Sequence, residues 1–145
     1  MTDTTKLTFT VHSTGKPLDL EIKLDSQSVF DKTIRSESQA VEVEIDDEEE
    51  KTLPLEFILK NKTADHTVVD DEGNILEDSE LIFSDIEVDE INIEELFWFQ
   101  AEYSHNFNGS GEPTTENFYG SMGCNGTVKI DIATPIYLWL LETLH

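Results

Sequence analysis

Polar and apolar residues alternate through most of the first half of the chain. Leu7, Phe9 and Val11 take every second position, then Leu18, Leu20, Ile22 and Leu24, then Val41, Val43 and Ile45, then Leu53, Leu55, Phe57 and Leu59. A period of two turns one face of an extended strand to a core and the other to water. Between Val41 and Ile45 the outward positions are Glu42 and Glu44, which suit solvent. Pro54 falls on an outward phase. Lacking an N–H for a ladder, it predicts an edge strand or a strand start. Leu81 and Phe83 share one phase and Ile86 and Val88 the other, which predicts a β-bulge near Ser84 or Asp85. Further strand signals lie at 29–34, 97–103, 127–132 and 137–141. In 97–103 the alternation points Phe97 and Phe99 inward and Trp98 to the more polar face.

Turn signals separate these segments. Residues 13–17 and 25–28 join the first strands, and 70–74 reads as a turn with Gly73 supplying a positive φ. About nine short strands at such spacing predict an all-β protein, a single β-sandwich of jelly-roll type spanning 1–145. Two short helices compete with this pattern. Residues 92–97 carry Glu94 and Glu95 at a helix start. Residues 135–144 fit a buried strand or a short helix, and length and aromatic content favour the strand. The C-terminal third, 97–145, is rich in aromatics and glycine: it holds nine of thirteen aromatics, and 106–126 holds five of seven glycines. So long a segment without a strand pattern predicts a functional loop.

Charge narrows the function. The chain has 32 acidic and nine basic residues, a formal net charge of −23. That sign opposes binding to a nucleic-acid backbone or to anionic lipid. No apolar run reaches the roughly 20 residues of a membrane helix, and the N-terminus lacks the apolar centre of a signal peptide. Eight of the nine basic residues lie between Lys6 and Lys62, and sixteen acids lie between Thr63 and Val128 without one Lys or Arg. Cys124 is the single cysteine, so an internal disulfide is excluded. No positive residue adjoins it in sequence to make it a nucleophile.

Two constellations carry candidate chemistry. Asp65, Asp70, Asp71, Glu72, Asn74 and Asp78 fall within fourteen residues. Such oxygen donors suit calcium, although placing Gly73 at the sixth position of an EF-hand loop puts Val68 and Ser79 where ligands belong. A solvated acidic hairpin is the alternative. The second constellation is aromatic: Trp98, Tyr103, Phe118 and Tyr119 could form a platform for sugar rings, a subunit contact or part of the core. Acid pairs are too plentiful to nominate a glycosidase, and the nucleophile-elbow, zinc-protease and phosphate-loop motifs are absent. A non-enzymatic protein is expected.

Residues 7–93 resemble the calcium-dependent xylan-binding β-sandwich modules found beside bacterial polysaccharide hydrolases. The resemblance rests on Leu18-Asp-Leu-Glu-Ile-Lys-Leu-Asp-Ser-Gln-Ser-Val29, on Leu55-Glu-Phe-Ile-Leu-Lys-Asn61 and on Leu81-Ile-Phe-Ser-Asp-Ile-Glu-Val-Asp89. Of that family's metal and sugar residues it implies Asn61 and Asp78. Where the family has Asp after the Asn this chain has Lys62, and its Asp-Arg-Asn triplet is here Asp78, Ser79 and Glu80. Across the whole chain, His105-Asn-Phe-Asn-Gly109, Phe118-Tyr-Gly120, Gly123-Cys-Asn-Gly126 and Pro135-Ile-Tyr-Leu-Trp-Leu-Leu-Glu142 resemble small acidic proteins of tailed phages of marine cyanobacteria. This implies a virion role, with synthesis in a host cytoplasm.

The leading expectation is therefore a virion-associated structural or decoration protein with a carbohydrate-binding-module-like fold, whose partners are other virion subunits or its own copies. It requires no cofactor. The alternative is a calcium-dependent module for host-surface polysaccharide, with Asn61, Asp65, Asp70, Asp71 and Asp78 near the metal and Trp98, Tyr103, Phe118 and Tyr119 at the contact. A second alternative is an acidic DNA-mimic decoy.

Overall fold

The computed structural model describes residues 4–46, 50–60, 62, 67–105 and 112–143. Two antiparallel sheets pack face to face. The first contains β1 (Thr4–Ser13), β4 (Gln39–Asp46), β8 (Leu81–Val88), β9 (Ile91–Asn92) and β12 (Ser121–Met122). Its order is β12-β8-β1-β4, with β9 folded back on β8. The second contains β2 (Leu18–Leu24), β3 (Gln27–Ile34), β5 (Lys51–Lys60), β10 (Glu102–His105), β11 (Thr114–Asn117) and β13 (Gly126–Thr134). Its order is β11-β10-β13-β5-β2-β3. A separate hairpin, β6 (Thr67–Val69) with β7 (Ile75–Asp78), projects from one end. The all-β sandwich expected from alternation is what forms.

The alternating residues fill the interface between the sheets. Leu7, Val11, Leu20, Ile22, Ile45, Leu55 and Leu59 are each at most 1% exposed. Phe57 is the hub. Its ring lies 5.2 Å from Phe9, 5.2 Å from Phe83 in a stacked pair and 6.0 Å from Phe97. Burying aromatics of this size supplies much of a small domain's stabilisation, and the ring pairs add to it. The bulge lies where the phase change places it. Thr8 pairs with Glu87 and Thr10 with Ser84, so Phe9 alone opposes Asp85 and Ile86, and Asp85 has φ 55°. That extra residue lets Phe83 and Ile86 both face the core.

Local chemistry explains the turns. Asp25 and Ser26 have φ of 51° and 67° and join β2 to β3 as a two-residue hairpin. Two central residues at positive φ match the twist of the flanking strands. The same geometry recurs at Asp89 and Glu90, between β8 and β9. Pro54 corrects its expectation, because it lies within β5, a central strand. Leu24 opposite Leu55 is the last pair of the β2 ladder, and the Pro54 carbonyl receives the Asp25 N–H at 2.9 Å. The missing N–H faces the point where β2 has already turned away, so no ladder bond is lost.

Three further expectations are corrected. Residues 94–100 form helix α1 (Glu94–Gln100) instead of opening a strand. Glu94 and Glu95 sit in its first turn, where the helix dipole favours acids. Helical spacing sends Phe97 into the core and Phe99 outward, at 0% and 82% exposed. The C-terminal segment forms helix α2 (Ile136–Thr143) instead of a strand. The Pro135 carbonyl accepts the N–H groups of Leu138 and Trp139, while Ile136 and Leu140, four residues apart, are buried. Finally, the described part of the expected loop at 106–126 contains strands β11 and β12. Among the described residues no helix is long and apolar enough to cross a membrane.

Candidate functional site

The candidate site is the end of the sandwich from which the β6–β7 hairpin projects. The turn after β1 fastens the base of the hairpin on one side. Thr14 N donates to Glu80 O at 2.9 Å, Glu80 N donates to Thr14 Oγ1 at 3.0 Å, and Lys16 N donates to the buried Ser79 Oγ at 2.8 Å. Lys62 fastens the other side. Its Nζ lies 3.0 Å from Asp78 Oδ1 and donates to the Gly123 carbonyl, and the side chain is 2% exposed. The main chain of Lys62 is held as well: its N–H donates to Asn125 Oδ1 and its carbonyl accepts from Asn125 Nδ2, both at 2.8 Å.

The turn at 123–125 is clamped from below by Tyr103. The phenol donates to the Cys124 carbonyl and accepts the Cys124 N–H at 2.9 Å. Burial raises the Tyr103 phenol above its ordinary pKa. Burial also raises the Cys124 thiol, against the opposing pull of the Lys62 charge. A raised thiol carries less thiolate at neutral pH and is a poor nucleophile. Gly126 follows, and only glycine fits there: a Cβ would lie 2.3 Å from the Ser104 carbonyl oxygen. The Tyr103 ring also meets His105 at 4.6 Å.

The acidic candidates separate into different roles. Asp70 caps its own turn. Its Oδ1 accepts the N–H groups of Glu72 and Asn74, each at 2.9 Å, and Oδ2 accepts Asn74 Nδ2 at 3.2 Å. The Asn74 N–H in particular holds the Asp70 carboxyl below the ordinary aspartate range. Gly73, at φ 86°, supplies the positive φ that the turn requires. Asp71 is exposed on that turn, while Asp78 faces the Lys62 ammonium. Asn61 and Asp65 lie outside the described residues. Among the described residues no three His, Cys, Asp or Glu side chains converge as a metal site. Of the described donors, Asp70 and Asp78 do not fit a divalent ion: the first carboxylate is taken by N–H donors and the second already meets a cation.

The aromatic candidates separate by burial. Phe118 is 0% exposed and packs edge-on to Phe83, and Tyr103 is 4% exposed. Trp98 is half-buried and meets Phe118 edge-on at 5.6 Å. Tyr119 is 70% exposed, and its hydroxyl accepts from Asn117 Nδ2 at 3.1 Å. Phe99, assigned to the core by alternation, is the most exposed of the described aromatics. Trp98 and Phe118 touch, and the residue that follows each in sequence, Phe99 and Tyr119, is exposed.

No protein-family model matches the chain, and no curated protein matches it. A solved structure does: a carbohydrate-binding module, vCBM60, in complex with galactobiose. The likeness covers 88% of this chain and 99% of that one, with a TM-score of 0.56 and 11% sequence identity. The fold is a carbohydrate-binding-module β-sandwich. In that module the same architecture holds a disaccharide.

Lys62, Gly123 and Asn125 join the site although the sequence nominates none of them as a site residue. The signal for Lys62 was present: it is the last basic residue before 66 positions that contain none. A cation at the head of such a stretch has many carboxylates to choose from, and the fold selects Asp78. No pattern in the sequence announces the 123–125 turn as its second partner, since the two segments are 61 residues apart.

Proposed function

We propose that the chain is a non-catalytic recognition module that holds a carbohydrate. The observation that supports this is the whole-length likeness to a module solved with galactobiose. The contact residues we assign are the two exposed aromatics that follow Trp98 and Phe118 in sequence, Phe99 and Tyr119. Sugar rings present apolar C–H faces, and an exposed aromatic gives them a flat surface to pack on. The Tyr119 hydroxyl and the Asn117 amide supply polar contacts that orient a ligand. Affinity electrophoresis through gels containing galactan, xylan or host-surface polysaccharide tests this. Retardation should occur in at least one gel and persist in EDTA. Tyr119→Ala and Phe99→Ala should each weaken it about tenfold or more while leaving the melting temperature unchanged. Wild-type mobility in every gel equal to that in plain gel would sink the reading. Retention lost in EDTA would keep a carbohydrate role and place calcium in it.

A second reading, a subunit of a phage particle, is favoured by helix α2. Leu138 and Leu141 are 53% and 72% exposed on a helix beside Pro135 and Trp139. Apolar residues clustered on one surface element suit contact with a neighbouring subunit. Both readings are compatible with one molecule that uses α2 for one contact and Phe99 and Tyr119 for the other.

A further inference from the structure

Lys62 stands apart from the other described lysines with ion pairs. Those of Lys6, Lys51 and Lys60 are at least one-third exposed, whereas that of Lys62 is 2% exposed. Withdrawing an ammonium from water is unfavourable unless oxygen donors replace its hydration. Two do: a carboxylate oxygen of Asp78 and the carbonyl oxygen of Gly123. These belong to segments far apart in sequence, one at the hairpin base and one in the turn entering β13. The main chain at Lys62 is locked by its reciprocal pair of bonds with Asn125. The ammonium therefore ties three segments together, at 62, 78 and 123–125.

Carboxylate and carbonyl oxygens from separate loops are also the donor types that a calcium ion gathers. An ammonium already between them repels a second cation and occupies the space. We propose that Lys62 acts as a built-in cation, organising this end of the sandwich in the role a bound divalent ion would otherwise fill, so that the end is assembled without metal. The inference does not depend on a carbohydrate ligand.

Thermal unfolding of the full chain tests it. Wild type and Lys62→Met are each melted in calcium, in magnesium and in EDTA at matched ionic strength. Methionine keeps an unbranched apolar stem and removes the charge. The wild-type midpoint is expected to be the same in all three media. Lys62→Met should melt lower by about 5 °C or more, because the hairpin base and the 123–125 turn lose their shared partner. A calcium-selective rise of the wild-type midpoint overturns the proposal, since a ligand of the native state alone raises its stability by mass action. A Lys62→Met midpoint equal to wild type overturns it as well. The wild-type comparison needs no variant, so failure of Lys62→Met to fold leaves the test intact.

Discussion

Tyr103 satisfies two main-chain groups with one hydroxyl. The oxygen accepts the Cys124 N–H while its own hydrogen goes to the Cys124 carbonyl. No other neutral side chain of this length presents both functions on a flat apolar stem, and the stem lies in the core at 4% exposure. Tyr103→Phe should therefore cost about 1–3 kcal/mol, the penalty for leaving buried polar groups without partners rather than the worth of an average hydrogen bond. Urea unfolding reads this as a lower midpoint at an unchanged slope. A loss below about 0.5 kcal/mol would mean that water replaces the hydroxyl. The position was legible as aromatic in the sequence but its role was not. The partner lies 21 residues away in a glycine-rich segment that carries no strand pattern. Lys62 has the same character. Its identity was visible as a cation among acids, while its burial depends on three segments that only the fold brings together.

At the scale of elements, the long strands were readable because ten- and eight-residue segments repeat the period of two several times over. β1, β4, β5 and β8 each do so, and the bulge in β8 showed as a slip of phase. The helices were not readable in this way. α1 has seven residues and α2 eight, about two turns each, and two turns of helix rich in Phe, Trp, Leu and Tyr look apolar in either period. Their tertiary anchors, Phe97 against Phe57 and Ile136 with Leu140 in the core, decide the outcome. The β6–β7 hairpin rests on its turn, and its pH dependence follows from Asp70. The folded carboxyl is held below its ordinary value of 3.8 by N–H donors. Its contribution is thus complete above that value and is lost as pH falls through the lower folded value. The amide resonances of Glu72 and Asn74 should titrate with a midpoint below 3.8, and Asp70→Asn should abolish that titration. A midpoint at or above the ordinary value would show that the turn does not depend on the charge.

Over the whole molecule, attraction between paired charges competes with repulsion among the acids. Exposed ion pairs such as Lys6–Glu42, between the adjacent strands β1 and β4, Lys51–Asp46, between the two sheets, and Lys60–Asp31, across the intervening β2, have N–O distances of 3.5, 3.7 and 3.0 Å. Pairs of this kind contribute about 0–1 kcal/mol each and weaken in salt. Against them stands a formal net charge of −23, with no Lys or Arg from Thr63 to Val128 to offset the acids of the hairpin, β8, α1 and β10. The unfolded chain spreads those acids apart, so self-repulsion favours unfolding. The excess of acids far outnumbers the pairs, and repulsion outweighs attraction. Raising sodium chloride from about 0.05 to 0.5 M shortens the screening length from roughly 14 to 4 Å. The melting midpoint should rise as it does so, by several degrees. The Lys62–Asp78 contact should be the least affected of the ion pairs, because its ammonium is out of water. A midpoint that falls with sodium chloride would assign the balance to the exposed ion pairs and would mean that the acids are better separated on this sandwich than their number implies.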